Sequence, residues 1–125
     1  MNRKIILVVE DDPNIRLGLE DNLELEGYKV LSAPDGVKGL KSALENEIDL
    51  LILDIMLPGM NGYEITREIR KLEKETGIEK QVPIIAITAN TLDNDREKCI
   101  EAGMNEYLSK PFTAEQLIDK ISIFI

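Results

Sequence analysis

The sequence contains no histidine, which removes at once the usual metal ligand and the usual general base of protein chemistry. Cysteine is almost absent too. The single Cys99 cannot form an internal disulfide and reads as a cytoplasmic thiol, buried or half-buried on a helix. Positive charge is scarce: 15 Lys and Arg stand against 24 Asp and Glu, for a formal net charge of −9. Such a chain has no non-specific attraction of its own for nucleic acid or for an anionic membrane, and a DNA-binding role would need another domain or partner. Long hydrophobic runs are lacking as well. The opening Met1-Asn2-Arg3-Lys4 leads into only five apolar residues before Glu10 interrupts them, too few for a signal peptide or a membrane span. The expectation is a soluble, cytoplasmic protein with no direct nucleic-acid or membrane partner.

What remains is ordinary globular composition, 43% hydrophobic and 31% charged over 125 residues, enough for one domain with a core that needs neither disulfide nor structural metal. Two kinds of segment alternate along it. Continuous apolar runs fall at residues 5–9, 50–53 and 84–87, with shorter strand-like pieces at 28–31 and 107–108. Between them lie helical patterns. Ile15, Leu19 and Leu23 share one face, Pro13 suits the first turn, and Gly27 stands where a left-handed cap would end the helix. Val37, Leu40 and Leu44 mark a second helix, Ile65, Ile69 and Leu72 a third, and residues 96–102, before Gly103, a fourth. The fifth opens on Thr113-Ala114-Glu115-Gln116, a capping box, and continues through Leu117, Ile118 and Ile121. The order is (βα)5, which predicts a doubly wound parallel five-stranded sheet covered by helices on both faces.

In such folds ligands gather at the carboxyl ends of the strands. The first strand ends in Glu10-Asp11-Asp12, the third in Asp54, the fourth in Thr88-Ala89, and the fifth is followed by Ser109-Lys110-Pro111. Asp54 is the most informative of these, because a carboxylate that ends a doubly buried strand stays ionised only beside a cation, donors or water. Taken alone it could equally cap the next loop. Together with its neighbours it reads differently. Several carboxylates at one rim need a counter-charge, and a hard divalent cation such as Mg²⁺ or Mn²⁺, bound by oxygen, is the plainest one. Lys110 can neutralise a further anion and Thr88 can donate a hydroxyl, so the set suits phosphoryl transfer with Asp54 as the attacking oxygen.

Leu7-Val8-Val9-Glu10-Asp11, the spacing Asp54…Pro58…Gly62, Ile87-Thr88-Ala89 and Lys110-Pro111-Phe112 occur in order at the predicted strand ends. On these pieces the whole chain, residues 1–125, resembles a single receiver domain of two-component response regulators, similar to the chemotaxis regulators. The resemblance implies a flavodoxin-like sheet of strand order 2-1-3-4-5. It implies that Asp54 accepts a phosphoryl group from the phosphohistidine of a sensor histidine kinase or phosphotransfer protein, or from a small phosphodonor. Asp11, Asp54 and the backbone carbonyl of Met56 would hold Mg²⁺, with Glu10 acting on it mainly through water. Thr88 and Lys110 would contact the phosphoryl oxygens, Ala89 would keep the approach open, and Tyr107 would turn inward as Thr88 moves. The Lys110-Pro111 bond would be cis. The face formed by the fourth helix, fifth strand and fifth helix would bind a downstream partner or a second copy of the chain. The protein would be no turnover enzyme on external substrates, only a catalyst of its own phosphorylation and slow dephosphorylation. With no histidine in the sequence, the phosphoryl donor must come from elsewhere.

Several residues have plainer readings. Asp12 caps the first helix before Pro13. Cys99 and Met104 pack near the fourth helix, and residues 71–81 form a solvated helix end and loop. Met56 and Asn90 fall where the family lines the path of the hydrolytic water, and an apolar Met56 would not activate water itself. Residues up to about Gly62 resemble receivers of transcription regulators, and the remainder those attached to hybrid sensor kinases. A flavodoxin-like FMN carrier is a poor fit because Glu10-Asp11-Asp12 would repel a phosphate at the first loop. An Asp-nucleophile phosphatase would want an acid two residues beyond Asp54, where Met56 stands. The remaining alternative is a receiver-fold interaction module not regulated by phosphorylation.

Overall fold

The structure is a computed structural model and describes residues 3–77, 81–89 and 93–125. Five strands and five helices alternate: β1 (Ile5–Val9), α1 (Pro13–Leu25), β2 (Lys29–Ala33), α2 (Gly36–Glu45), β3 (Leu50–Asp54), α3 (Gly62–Thr76), β4 (Ile84–Thr88), α4 (Asp93–Ala102), β5 (Glu106–Ser109) and α5 (Ala114–Ser122). The strands are all parallel, in the order β2-β1-β3-β4-β5. This is the predicted doubly wound flavodoxin-like sheet.

Side-chain alternation along each strand divides the interior into two cores. Leu7, Val9, Leu51, Leu53, Ile84 and Ala86 face α2, α3 and α4. Ile6, Val8, Leu50, Ile52, Ile85 and Ile87 face α1 and α5. The residues of β3 and β4 are buried throughout, which explains why their sequences read as unbroken apolar runs rather than alternating ones. Burying them is the main favourable term, each large aliphatic side chain contributing about 1.5–3 kcal/mol before conformational entropy is charged against it.

The helix ends follow their local chemistry. The Asp12 carboxylate accepts from the amides of Asn14 and Ile15, with Pro13 in the first turn. Thr113 and Gln116 form the expected reciprocal box, and Asn61 with Glu64 forms a second one at the start of α3. Gly27 follows α1 at φ 96°, a left-handed conformation that a side chain would strain.

One helix turns differently from expectation. Val37 and Leu44 are exposed, and α2 buries Gly36 and Gly39 with Leu40 and Ala43 partly covered. The reason is a close approach. A Cβ on Gly39 would come within 2.7 Å of Val9 Cγ1, so the glycine face lets α2 lie directly on β1 and sends Val37 and Leu44 outward. At the chain's end Ile121 is buried, Phe124 and Ile125 pack partly on the α1/α5 core, and Ile123 is exposed. Among the described residues no helix is long and apolar enough to cross a membrane.

Candidate functional site

The carboxyl ends of β1, β3, β4 and β5 form one rim because the parallel register aligns them. Val9 lies opposite Leu53, Asp54 opposite Ile87, and Thr88 opposite Ser109. Backbone hydrogen bonds carry the alignment just past the strands. The Glu10 amide donates to Ala33 O at 3.2 Å, the Ile55 amide to Ile87 O at 3.1 Å and the Lys110 amide to Thr88 O at 2.7 Å. Residues from four separate segments are thereby held within reach of one another.

Glu10 is fully buried and Asp54 is 3% exposed, whereas Asp11 is solvent-exposed. Carboxylate oxygens of the three lie within 4.8 Å of one another. Lys110 reaches into this group, its Nζ standing 2.7 Å from Glu10 Oε1 and 3.3 Å from Asp54 Oδ2. The other Asp54 oxygen, Oδ1, accepts from the Met56 amide at 3.1 Å, which folds the Met56 peptide over the cluster while its side chain points to solvent. Thr88 is buried at the end of β4 beside them, and Ala89 is exposed. Tyr107 is half-buried on β5, packed on the core that holds Cys99 and Met104, both buried there.

The electrostatics are unbalanced in a way that points outward. Burial, reinforced by Asp54, pushes the Glu10 carboxyl above its usual range even though Lys110 pulls the other way. Lys110 is pulled down by burial, but Glu10 and Asp54 outweigh this and hold its ammonium above the ordinary lysine value. Among the described residues neither Glu10 oxygen has an aligned hydrogen-bond donor; the 2.7 Å contact from Lys110 is an ion pair by distance, at an angle unsuited to hydrogen bonding. Buried oxygens left in that condition are costly. Three carboxylates against one ammonium leave an excess of negative charge in an acidic oxygen cluster whose outer member, Asp11, is exposed. That donor set fits a hard divalent cation and does not fit zinc or copper, which favour nitrogen and sulfur.

Comparison with known proteins decides the family. Residues 6–122 match the response regulator receiver domain family. The chain belongs to that family.

This receiver is similar to the response regulator ArlR of Staphylococcus saprophyticus, with 41% identity over 93% of this chain and 50% of ArlR. It resembles the sensor histidine kinase RcsC of Escherichia coli at 38% identity over 96% of this chain but 12% of the kinase. The chain thus spans about half the length, or far less, of the curated relatives it matches. Among solved structures, the receiver domain of sensor histidine kinase PA1611 from Pseudomonas aeruginosa PAO1, with a magnesium ion coordinated in its active-site cleft, superposes with a TM-score of 0.86 at 41% identity, covering 98% of each chain. The receiver domain of Ssk1 from Saccharomyces cerevisiae, in complex with the histidine phosphotransfer protein Ypd1, gives a TM-score of 0.92 at 28% identity, over 98% of this chain and 88% of that one. The match to ArlR and that to RcsC each run nearly the length of the receiver, so neither kind of relative is confined to one half of it.

Set against the sequence reading, the fold brings Glu10, Asp11, Asp54 and Lys110 together, and puts Thr88 on the same rim. Tyr107 stands lower, on the face of β5 that packs against the α2/α3/α4 core. The Lys110–Pro111 peptide is cis, and Asp12 is the helix cap it was expected to be. Asn90 lies outside the described residues. The direct Lys110–Glu10 contact is what sequence reasoning did not foresee, since Glu10 was expected to work mainly through water. Nothing in the pattern of types along the chain signals which acid a lysine will favour.

Proposed function

We propose that this receiver domain, formed by residues 1–125, takes a phosphoryl group onto Asp54 in a Mg²⁺-dependent reaction. The observation that carries this reading is the pairing of a buried, otherwise orphaned Glu10 with Asp11, Asp54 and Lys110 at the carboxyl rim of the sheet. Asp11, Asp54 and the Met56 carbonyl would hold the cation directly, with Glu10 behind them and able to act through water. Bound there, the cation would supply charge neutralisation for the phosphoryl oxygens.

The chain's own residues account for the rest. An Asp54 oxygen attacks phosphorus in line, the new O–P bond forms as the bond to the donor breaks, and the donor imidazole leaves with the electron pair of that bond. Lys110 follows the phosphoryl oxygens from its place between Glu10 and Asp54, and Thr88 donates its hydroxyl to another of them. Because the chain has no histidine, the phosphohistidine belongs to a sensor kinase or phosphotransfer protein. A groove lined by Ile15, Gly18, Leu19, Asn22 and Phe112 opens beside Lys110 and offers such a donor an apolar seat next to the acceptor. The product is a modified Asp54 rather than a released compound, so the protein works as a switch and turns over no external substrate. Tyr107 and Thr88 couple the modification to the α4-β5-α5 surface, which binds a downstream protein or a second copy.

Incubation of the protein with Mg²⁺ and acetyl phosphate, followed by mass spectrometry, tests the reading. A labile phosphoryl adduct is expected in the wild type and not in Asp54→Asn. Absence of an adduct in the wild type, or an undiminished one in the variant, overturns it and favours a receiver fold used as a constitutive interaction module.

A further inference from the structure

Asp11 occupies an unusual position among the rim acids: it is exposed, it lies outside every strand and helix, and yet it must be held still to serve a cation. Arg16, on the first turns of α1, grips the backbone on both sides of it. The Arg16 amide donates to Asp12 O at 2.9 Å, the ordinary first hydrogen bond of the helix. Its guanidinium reaches back along the chain, and Nη1 donates to Glu10 O at 2.8 Å. With the Asp12 side chain capping Asn14 and Ile15, the stretch from Glu10 to Arg16 is closed into a ring of local hydrogen bonds around Asp11.

Two further details separate this arrangement from ordinary surface decoration. Arg16 is half-buried, and among the described residues its guanidinium pairs with no carboxylate. Its charge is directed at a peptide carbonyl instead, which a charge-assisted hydrogen bond holds more firmly than a neutral donor would. That carbonyl belongs to Glu10, the residue whose side-chain oxygens lack an aligned donor among the described residues.

We infer that Arg16 is a positioning residue for the cation site: it fixes the Glu10–Asp11 turn so that both acids are preorganised before the ion arrives. This rests on the Mg²⁺ reading of the rim given above. Groups that orient metal ligands from one layer out are worth about tenfold or more in metal affinity when removed. A methionine at this position keeps the helix propensity and the aliphatic stem but removes every donor. Lysine restores one donor with a similar reach, without the planar fork.

Isothermal titration of Mg²⁺ into the wild type, Arg16→Met and Arg16→Lys, together with urea unfolding of each without metal, tests the proposal. The expected result is a Mg²⁺ dissociation constant raised about tenfold in Arg16→Met, with Arg16→Lys between the two. In the acetyl phosphate reaction the half-saturating Mg²⁺ concentration should rise by the same factor, while the rate at saturating Mg²⁺ changes far less. An unchanged Mg²⁺ affinity in Arg16→Met, with or without a loss of stability, overturns the positioning role. Failure of the wild type to bind Mg²⁺ overturns the metal reading itself and this inference with it, an outcome distinct from the first because it needs no variant.

Discussion

Lys110 Nζ sits 2.7 Å from Oε1 of Glu10, a carboxylate with no exposed surface, and this contact is shorter than the one Lys110 makes to Asp54. The lysine therefore does part of a cation's work at this acid. Among the described residues it is the one cation paired with this buried acid.

Removal of that cation should have two effects of opposite kind. Lys110→Met leaves Glu10 and Asp54 buried together, and the metal-free protein should lose about 2 kcal/mol or more at neutral pH, read from urea midpoints. Mg²⁺ should bind the variant more tightly, because its competitor at Glu10 is gone, yet phosphorylation at saturating Mg²⁺ should slow about a hundredfold for want of the ammonium on the phosphoryl oxygens. Weaker Mg²⁺ binding in the variant would contradict this account.

The pH dependence of stability isolates Glu10. Its folded carboxyl is raised above the ordinary value of 4.5, chiefly by burial, so the folded chain holds this proton more tightly than the unfolded one. The contribution of Glu10 is therefore fully present below 4.5 and is lost as pH rises through the raised folded value. Glu10→Gln, which removes the ionisation, should be more stable than the wild type at neutral pH without metal, and the gap should close on acidification. Parallel stability–pH curves for the two proteins would rule this out.

Gly36 tests how tightly the loop after β3 is braced. A Cβ at this position would run into the carbonyl oxygen of Met60, so Gly36→Ala must displace either the start of α2 or the loop that carries Met56. The helix propensity gained by alanine, about 1 kcal/mol, is smaller than the overlap. Net destabilisation of about 1–2 kcal/mol is expected in denaturant melts, with weaker Mg²⁺ binding by calorimetry.

Far from the rim, Arg70 donates to Gly103 O, Asn105 Oδ1 and Glu73 Oε1, while Glu73 Oε2 accepts from the Val82 amide at 2.7 Å. Arg70→Met leaves a carboxylate that is 8% exposed with the Val82 amide but no counter-charge, and removes one donor each from Gly103 O and from Asn105 Oδ1, which keeps the Ile84 amide. A loss of about 2–3 kcal/mol in urea unfolding is expected. Mg²⁺ affinity should stay at the wild-type value, since no member of this network touches the rim.

Glu73 also shows where the sequence falls silent. It lies in a charged stretch that reads as solvated, and its burial depends on Arg70 one turn back and on a backbone amide nine residues on, neither of which leaves a periodic trace. The inverted face of α2 is similar, since Gly36 and Gly39 make the contacts while Val37 and Leu44 carry the apolar signal. Strands, by contrast, announce themselves, because doubly buried segments such as 50–54 and 84–88 have no room for polar side chains except at their ends. That same rule made Asp54 and Thr88 legible. Asp11 and Lys110 were legible through the parallel order that aligns the strand ends, and through motifs that match the receiver family. The Lys110–Glu10 contact and the Arg16 grip depend on side-chain conformation, to which pattern is blind.

The two cores described above meet only through the sheet. Leu51 and Leu53 belong to one and Leu50 and Ile52 to the other, so the backbone of β3 is a partition with separate tenants on each side. Substitutions on opposite sides, such as Ile69→Val and Leu117→Ile, fall in different clusters and should be close to additive in energy. The helices of one side can therefore be recast to suit a new partner while those of the other keep their packing, and the acids at the top edge of the partition remain where they are.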